Sequence, residues 1–145
     1  MAARLHIVVE GEDPGFDIFV NGQALARNED ALERLAERLN VSPLLEFFSA
    51  DHNSMALLLE QGAGNPDRSR HLPQPQWFDA PEGLRTVLTL IDSLAEAPAA
   101  LGSETQPVLA ELREYEHVLH KTAKHRSRWH VAVSWRQEPV QKLLD

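Results

Sequence analysis

Apolar and polar residues alternate at two places near the N-terminus: Leu5, Ile7 and Val9 against His6 and Glu10, then Phe16, Ile18 and Val20 against Asp17. A period of two is that of a strand with one face buried. Between the two runs lies Asp13-Pro14-Gly15. Proline presets φ for the first central position of a turn, and glycine accepts the positive φ that a type II turn needs next. The pattern predicts an antiparallel hairpin that ends at Asn21-Gly22. A third alternation, Trp129, Val131, Val133 and Trp135 against His130, Ala132 and Ser134, predicts a C-terminal strand with two indoles on one side.

Elsewhere the apolar residues recur every three or four positions. Asn28 is placed to cap a helix that carries Leu32, Leu35, Ala36 and Leu39 on one face, with Glu29 and Asp30 at its positive end. Ser42-Pro43 predicts a short helical turn bearing Leu44, Leu45, Phe47 and Phe48, and another helix is expected over 52–61, closed by Gly62. From Gly62 to Ala80 glycines and prolines interrupt any periodicity, which predicts a long loop, and such loops often carry function. Leu84, Val87, Leu88, Ile91 and Leu94 then mark a helix that starts at Asp79-Ala80-Pro81-Glu82. Ser103 and Gln106 have capping-box spacing before a long helix, about 104–124, whose core face is Val108, Leu112, Tyr115, Leu119 and Thr122. The tail 139–145 has room for one further helical turn.

The order strand, strand, several helices, strand predicts an α+β fold. A small antiparallel sheet, the N-terminal hairpin plus the C-terminal strand, would carry about four helices packed on one face, in a single domain spanning 1–145. The 145-residue chain is 43% hydrophobic and 25% charged, ordinary for a folded domain of a size that buries a sizeable core. It has no cysteine, so disulfides, thiolate nucleophiles and cysteine-held metals are excluded. Neither a signal-like apolar stretch at the N-terminus nor an 18-residue apolar run is present, which predicts a soluble cytoplasmic protein with no membrane association.

Charge divides the chain. Its net charge is −8, yet residues 1–112 hold 7 Lys/Arg against 18 Asp/Glu whereas residues 113–136 hold 6 against 2. An acidic body with one basic segment argues against general nucleic-acid binding, because that affinity comes from many basic residues displacing counterions. A local contact through 121–136, with Trp129 stacking a base, is the weaker form of that idea.

The sequence contains no phosphate-cradling G-x-G-x-x-G or P-loop and no G-x-S-x-G elbow, so no cofactor is expected. Asp51-His52-Asn53-Ser54 has triad residue types, but neighbours in sequence rarely converge on one atom, and capping explains them better. His117, His120, His125 and His130 lie close together, and histidine is the commonest metal ligand. With Tyr115 at 0° on a wheel of about 100° per residue, Arg113, His117, His120 and Lys124 fall at about 140–200°, away from the core. Two imidazoles between two cations do not make a tetrahedral zinc cage, so no metal is expected.

Two readings follow. The favoured one is a noncatalytic binding or accessory module that makes a protein–protein contact, with a partner or with itself, through Arg113, His117, His120, Lys121, Lys124, Arg126, Arg128 and His130. Its competitor for the basic charge is the general preference for cations at a helix C-terminus. The alternative is a small enzyme or small-molecule binder with a polar pocket between the sheet and the 62–80 loop, rimmed by Arg68, Arg70, His71 and Trp77. For Trp77-Phe78 the plainer role is to plug the core at the entry of the following helix.

Overall fold

Strand β1 (Ala2–Val9) finds its partner at the other end of the chain, pairing antiparallel with the strand Arg128–Arg136 so that Leu5, Ile7 and Val9 face Val133, Val131 and Trp129. The computed structural model describes residues 2–11, 15–49 and 76–136. Between the two strands come α1 (Gln23–Arg27), α2 (Glu29–Arg38), a 3-10 turn (Leu44–Phe47), the short strand β2 (Phe78–Asp79), α3 (Ala80–Glu96) and α4 (Thr105–Lys124). The C-terminal strand is therefore β3, and the sheet order is β1-β3-β2, antiparallel throughout. An α+β fold with a small antiparallel sheet and four helices among the described residues is what the hydrophobic pattern predicts. The predicted helix at 52–61, the loop up to residue 75 and the tail 139–145 lie outside the described residues.

The second strand of the expected hairpin is a correction. Residues 16–20 form no strand; they run beside α4. At one end the Asn21 N–H donates to Glu114 Oε1 (2.9 Å), and at the other Phe16 stacks on His125 with ring centroids 5.0 Å apart. Five residues reach at most about 17 Å, enough to span the eleven residues of helix from Glu114 to His125. The alternation is real, since Phe16 and Ile18 are half-buried and Val20 buried while Asp17 and Phe19 are exposed. Its buried face rests on a helix, and the place beside β1 belongs to β3.

Around β1 the other contacts close its free edge. The Leu5 N–H donates to Gly22 O (3.0 Å), and the buried Tyr115 hydroxyl donates to Leu5 O (2.7 Å). Gly22 has φ 72°, and a Cβ there would collide with the Leu5 carbonyl, so both conformation and space require glycine. Burial pushes the Tyr115 hydroxyl strongly up from its ordinary pKa, with Glu111 and Glu114 adding to the shift, which keeps it a neutral donor.

Helix α1 has no side-chain cap of its own. Its Ala24 and Leu25 N–H groups donate to the two oxygens of the buried Glu111, at 3.1 and 2.9 Å. Asn28 does precede α2 as predicted, but its amide donates to Ala24 O (2.8 Å) and Glu104 Oε1 (3.0 Å) instead of capping. Ser103 and Gln106 form no capping box either; α4 follows a 3-10 turn (Gly102–Glu104), and Thr105 Oγ1 accepts the Leu101 N–H at 2.9 Å.

On α3 the buried face is Gly83, Leu84, Val87, Leu90, Ile91 and Leu94, while Leu88 is among the exposed large hydrophobics. The observed face is therefore turned by about 40° from the predicted one. The reason lies in two small or polar residues. A Cβ at Gly83 would collide with the indole of Trp129, and the Thr86 hydroxyl donates to Ser42 O (2.8 Å), so both sit inward where no apolar pattern marks them. Trp129 is fully buried between Gly83 and Phe47, its indole N–H donating to Asp79 O at 3.2 Å.

Candidate functional site

The C-terminal end of α4 closes with a particular hydrogen-bond pattern. The Ser127 N–H donates to Thr122 O and the Arg126 N–H to Ala123 O, both at 3.0 Å, with Arg126 at φ 56°. This is the Schellman arrangement, in which the left-handed residue is usually glycine and sometimes asparagine. Helix α2 ends the same way: the Val41 N–H donates to Ala36 O (3.0 Å) and the Asn40 N–H to Glu37 O (3.2 Å), with Asn40 at φ 61°. Asparagine suits that conformation. Arginine does not, because the left-handed region costs an ordinary side chain about 1–2 kcal/mol.

Around this end the sequence-predicted residues separate into groups. Arg113, His117, His120, Lys124, His125 and Arg126 are exposed, and Lys121 is half-buried. His120 Nε2 lies 3.6 Å from Glu116 Oε2 one turn earlier. Arg128 is already engaged: its Nε and Nη2 donate to Glu10 Oε1 and Oε2 at 2.8 and 2.7 Å. That fork lowers the Glu10 pKa and raises that of Arg128, the hydrogen bond being the larger cause in each. Lys121, Lys124 and Arg126 remain as three formal cations within six residues and no carboxylate among them.

His130 does not join that surface. It is fully buried, Trp77 stacks on it with centroids 4.4 Å apart, and its Nδ1 lies 3.0 Å from Gln76 O. A carbonyl only accepts, so Nδ1 carries the proton. His130 is a residue of the sheet's second face, covered by the segment leading into β2, and its inclusion among surface contacts is corrected by that burial. The base-stacking role considered for Trp129 is likewise corrected, since the ring has no exposed face. Trp77 is half-buried on His130, and Phe78 meets Phe47 edge-on at 5.4 Å, as core plugs would. Arg68, Arg70 and His71 lie outside the described residues.

The sequence reading missed Phe19. It is 66% exposed, the highest value among the large hydrophobics of the described residues. The signal was present, because in a run whose inward phase is Phe16, Ile18 and Val20 an aromatic at 19 must point outward.

A second surface is an open acidic groove of about 660 Å³ between α2 and residues 40–46, lined by Glu29, Glu33, Glu37 and Glu46 over Val41 and Leu45. Glu29, Asp30 and Glu33 place carboxylate oxygens within 4.8 Å of one another. The Glu29 pKa is raised, first by desolvation and then by these acidic neighbours. Asp30 and Glu33 are exposed and Glu29 half-buried, and like charges this close on a helix repel each other, so the cluster by itself marks no ligand site.

No protein-family model, no curated protein and no solved structure matches this chain. Among the described residues no helix is long and apolar enough to cross a membrane.

Proposed function

We propose that this protein is a noncatalytic binding module that docks an acidic surface of a partner protein on the C-terminal end of α4, through Lys121, Lys124, His125 and Arg126, with Arg113 and His117 further along the helix. The observation that carries this reading is Arg126 in a left-handed conformation where glycine would be more stable. Complementing the helix dipole explains Lys121 and Lys124, since cations in the last turn contribute a few tenths to 1 kcal/mol each. It does not explain a guanidinium just past the helix end on backbone that disfavours it. Strained positions of this kind persist where a side chain is needed for function. The protein's net charge of −8 adds specificity, because an acidic partner meets net repulsion from the molecule as a whole and attraction at this segment.

The test is a pull-down at two salt concentrations with wild type beside the triple variant Lys121→Gln, Lys124→Gln, Arg126→Gln, checked for folding by circular dichroism. The wild type should retain a partner that the variant loses, and retention should fall as salt rises, because exposed charges are screened beyond about 8 Å at physiological ionic strength. An identical set of partners for the two proteins at both salts overturns the reading and leaves the charge as helix-end chemistry.

A further inference from the structure

We infer that Phe19 is the apolar anchor of this docking surface, so that the partner segment is one in which an apolar side chain is flanked by carboxylates. The inference rests on the contact surface proposed above and specifies its ligand. It starts from how the ring is held. The stretch 16–21 is tied at both ends to α4, by the Phe16–His125 stack and by the Asn21 N–H on Glu114. Within it the Phe19 N–H donates to Asp17 Oδ1 at 2.9 Å, fixing a local turn of the backbone. Ile18 and Val20 face inward on either side. The ring therefore cannot swing into the core without displacing the half-buried Ile18 and the buried Val20.

Its position along the helix follows from the same anchors. Two extended residues from Asn21 correspond to about 7 Å, or four to five residues of helix beyond Glu114. On that ruler Phe19 falls part-way along the second half of α4, between its two tethers at Glu114 and His125. Glu114, 118, 121 and 125 form one ridge on a helix, and the stretch follows it; Arg113, His117 and Lys124 lie on the outer side of that ridge. Phe19 is thus carried by a stretch that runs along the same half of α4 that bears Lys121 and Lys124.

A single exposed apolar residue is ordinary on a protein surface. An exposed aromatic on a stretch tied to the helix that carries these cations has the composition of a binding hot spot, where an aromatic supplies most of the affinity and surrounding charges supply orientation and encounter rate. Charge complementarity fixes the occupant: the surface offers three cations and a ring, so the matching segment offers carboxylates and an aliphatic or aromatic side chain.

The test uses two fluorescein-labelled peptides of equal charge, Glu-Glu-Leu-Glu-Glu-Leu-Glu-Glu and its analogue with Ser for Leu, titrated with the full chain in a polarisation assay. Wild type should bind the Leu peptide about tenfold or more tightly than the Ser peptide. Phe19→Ala, folded by circular dichroism, should abolish that difference while leaving the Ser peptide's affinity unchanged. The triple Gln variant should weaken both peptides. If wild type shows no preference for Leu, or Phe19→Ala keeps it, the anchor is wrong, and the contact surface still stands provided the triple variant weakens binding. If the triple variant binds both peptides as wild type does, the contact surface itself is wrong. Sedimentation showing a wild-type dimer that Phe19→Ala dissociates would instead assign the ring to a second copy of this chain and overturn the inference.

Discussion

Glu111 shows how much one side chain can hold when two backbone donors depend on it. The Ala24 and Leu25 N–H groups open α1, are buried, and meet the two carboxylate oxygens of Glu111 from a helix more than eighty residues away. Glu111→Ala leaves both donors unsatisfied, at about 1–3 kcal/mol for each, so a loss of about 2–5 kcal/mol is expected in urea unfolding. Glu111→Gln keeps one good acceptor and should cost clearly less. A loss below about 0.5 kcal/mol in the Ala variant would mean that water reaches those donors. Arg126 supplies the opposite sign. Arg126→Gly relieves a left-handed side chain while adding some unfolded-state entropy, so a net gain of up to about 1 kcal/mol is expected. Asn40→Gly, at the equivalent point of α2, should gain less because asparagine already tolerates that backbone. If Arg126→Gly destabilises the fold, the guanidinium is serving structure, and the argument from strain to binding fails with it.

Among the elements, α3 separates what its apolar pattern predicts from what packing selects. Leu90 is fully buried and Leu88 is exposed, although its spacing of four from Leu84 and three from Ile91 makes 88 read as part of the stripe. Leu90→Ala should therefore cost about 2–5 kcal/mol, the usual range for a buried leucine, and Leu88→Ala under about 1 kcal/mol. The reverse order of effects would show that the helix is turned the other way. The class of fold was legible because β3 and the inner face of α4 consist of residues whose type states their burial, Trp129 and Val131 on one and Val108, Leu112, Tyr115 and Leu119 on the other. Three features were not. Gly83 and Thr86 are inward for reasons of space and one hydrogen bond, which hydrophobicity does not encode. Residues 16–20 have a strand's period, and the period states that one side is buried without stating whether a strand or a helix buries it. At the candidate site, Lys121, Lys124 and Arg126 were readable as a charge cluster, whereas the engagement of Arg128 by Glu10 and the burial of His130 depend on residues distant in sequence.

For the molecule as a whole, two ion pairs among the described residues join parts of the chain that are far apart in sequence, and a third acidic group opposes them. Glu10 with Arg128 ties the end of β1 to the start of β3, and Glu104 with Arg27 (Nε–Oε1 2.8 Å) ties the approach to α4 to the end of α1. The Glu104 pKa is lowered, first by the hydrogen bond from Arg27 and then by that from Asn28. A carboxylate whose pKa is lower folded than unfolded contributes stability that is present above the ordinary glutamate value, about 4.3, and lost as pH falls through the folded value. Glu29 behaves the other way. Its folded pKa is raised by desolvation and by its acidic neighbours, so it favours the fold when protonated and loses that contribution as pH rises through the raised value. These groups lie at the surface, so each contribution is small and screened by salt. Unfolding midpoints measured from pH 7 down to pH 2 should therefore fall most steeply below about pH 4, where both pairs lose their carboxylates. The double variant Glu10→Gln, Glu104→Gln should flatten that acid limb, while Glu29→Gln should raise the midpoint at pH 7 and leave it nearly unchanged at pH 3. An acid limb of the same slope in the double variant would locate the sensitivity elsewhere, and a lower midpoint for Glu29→Gln at pH 7 would show that its charge stabilises the fold.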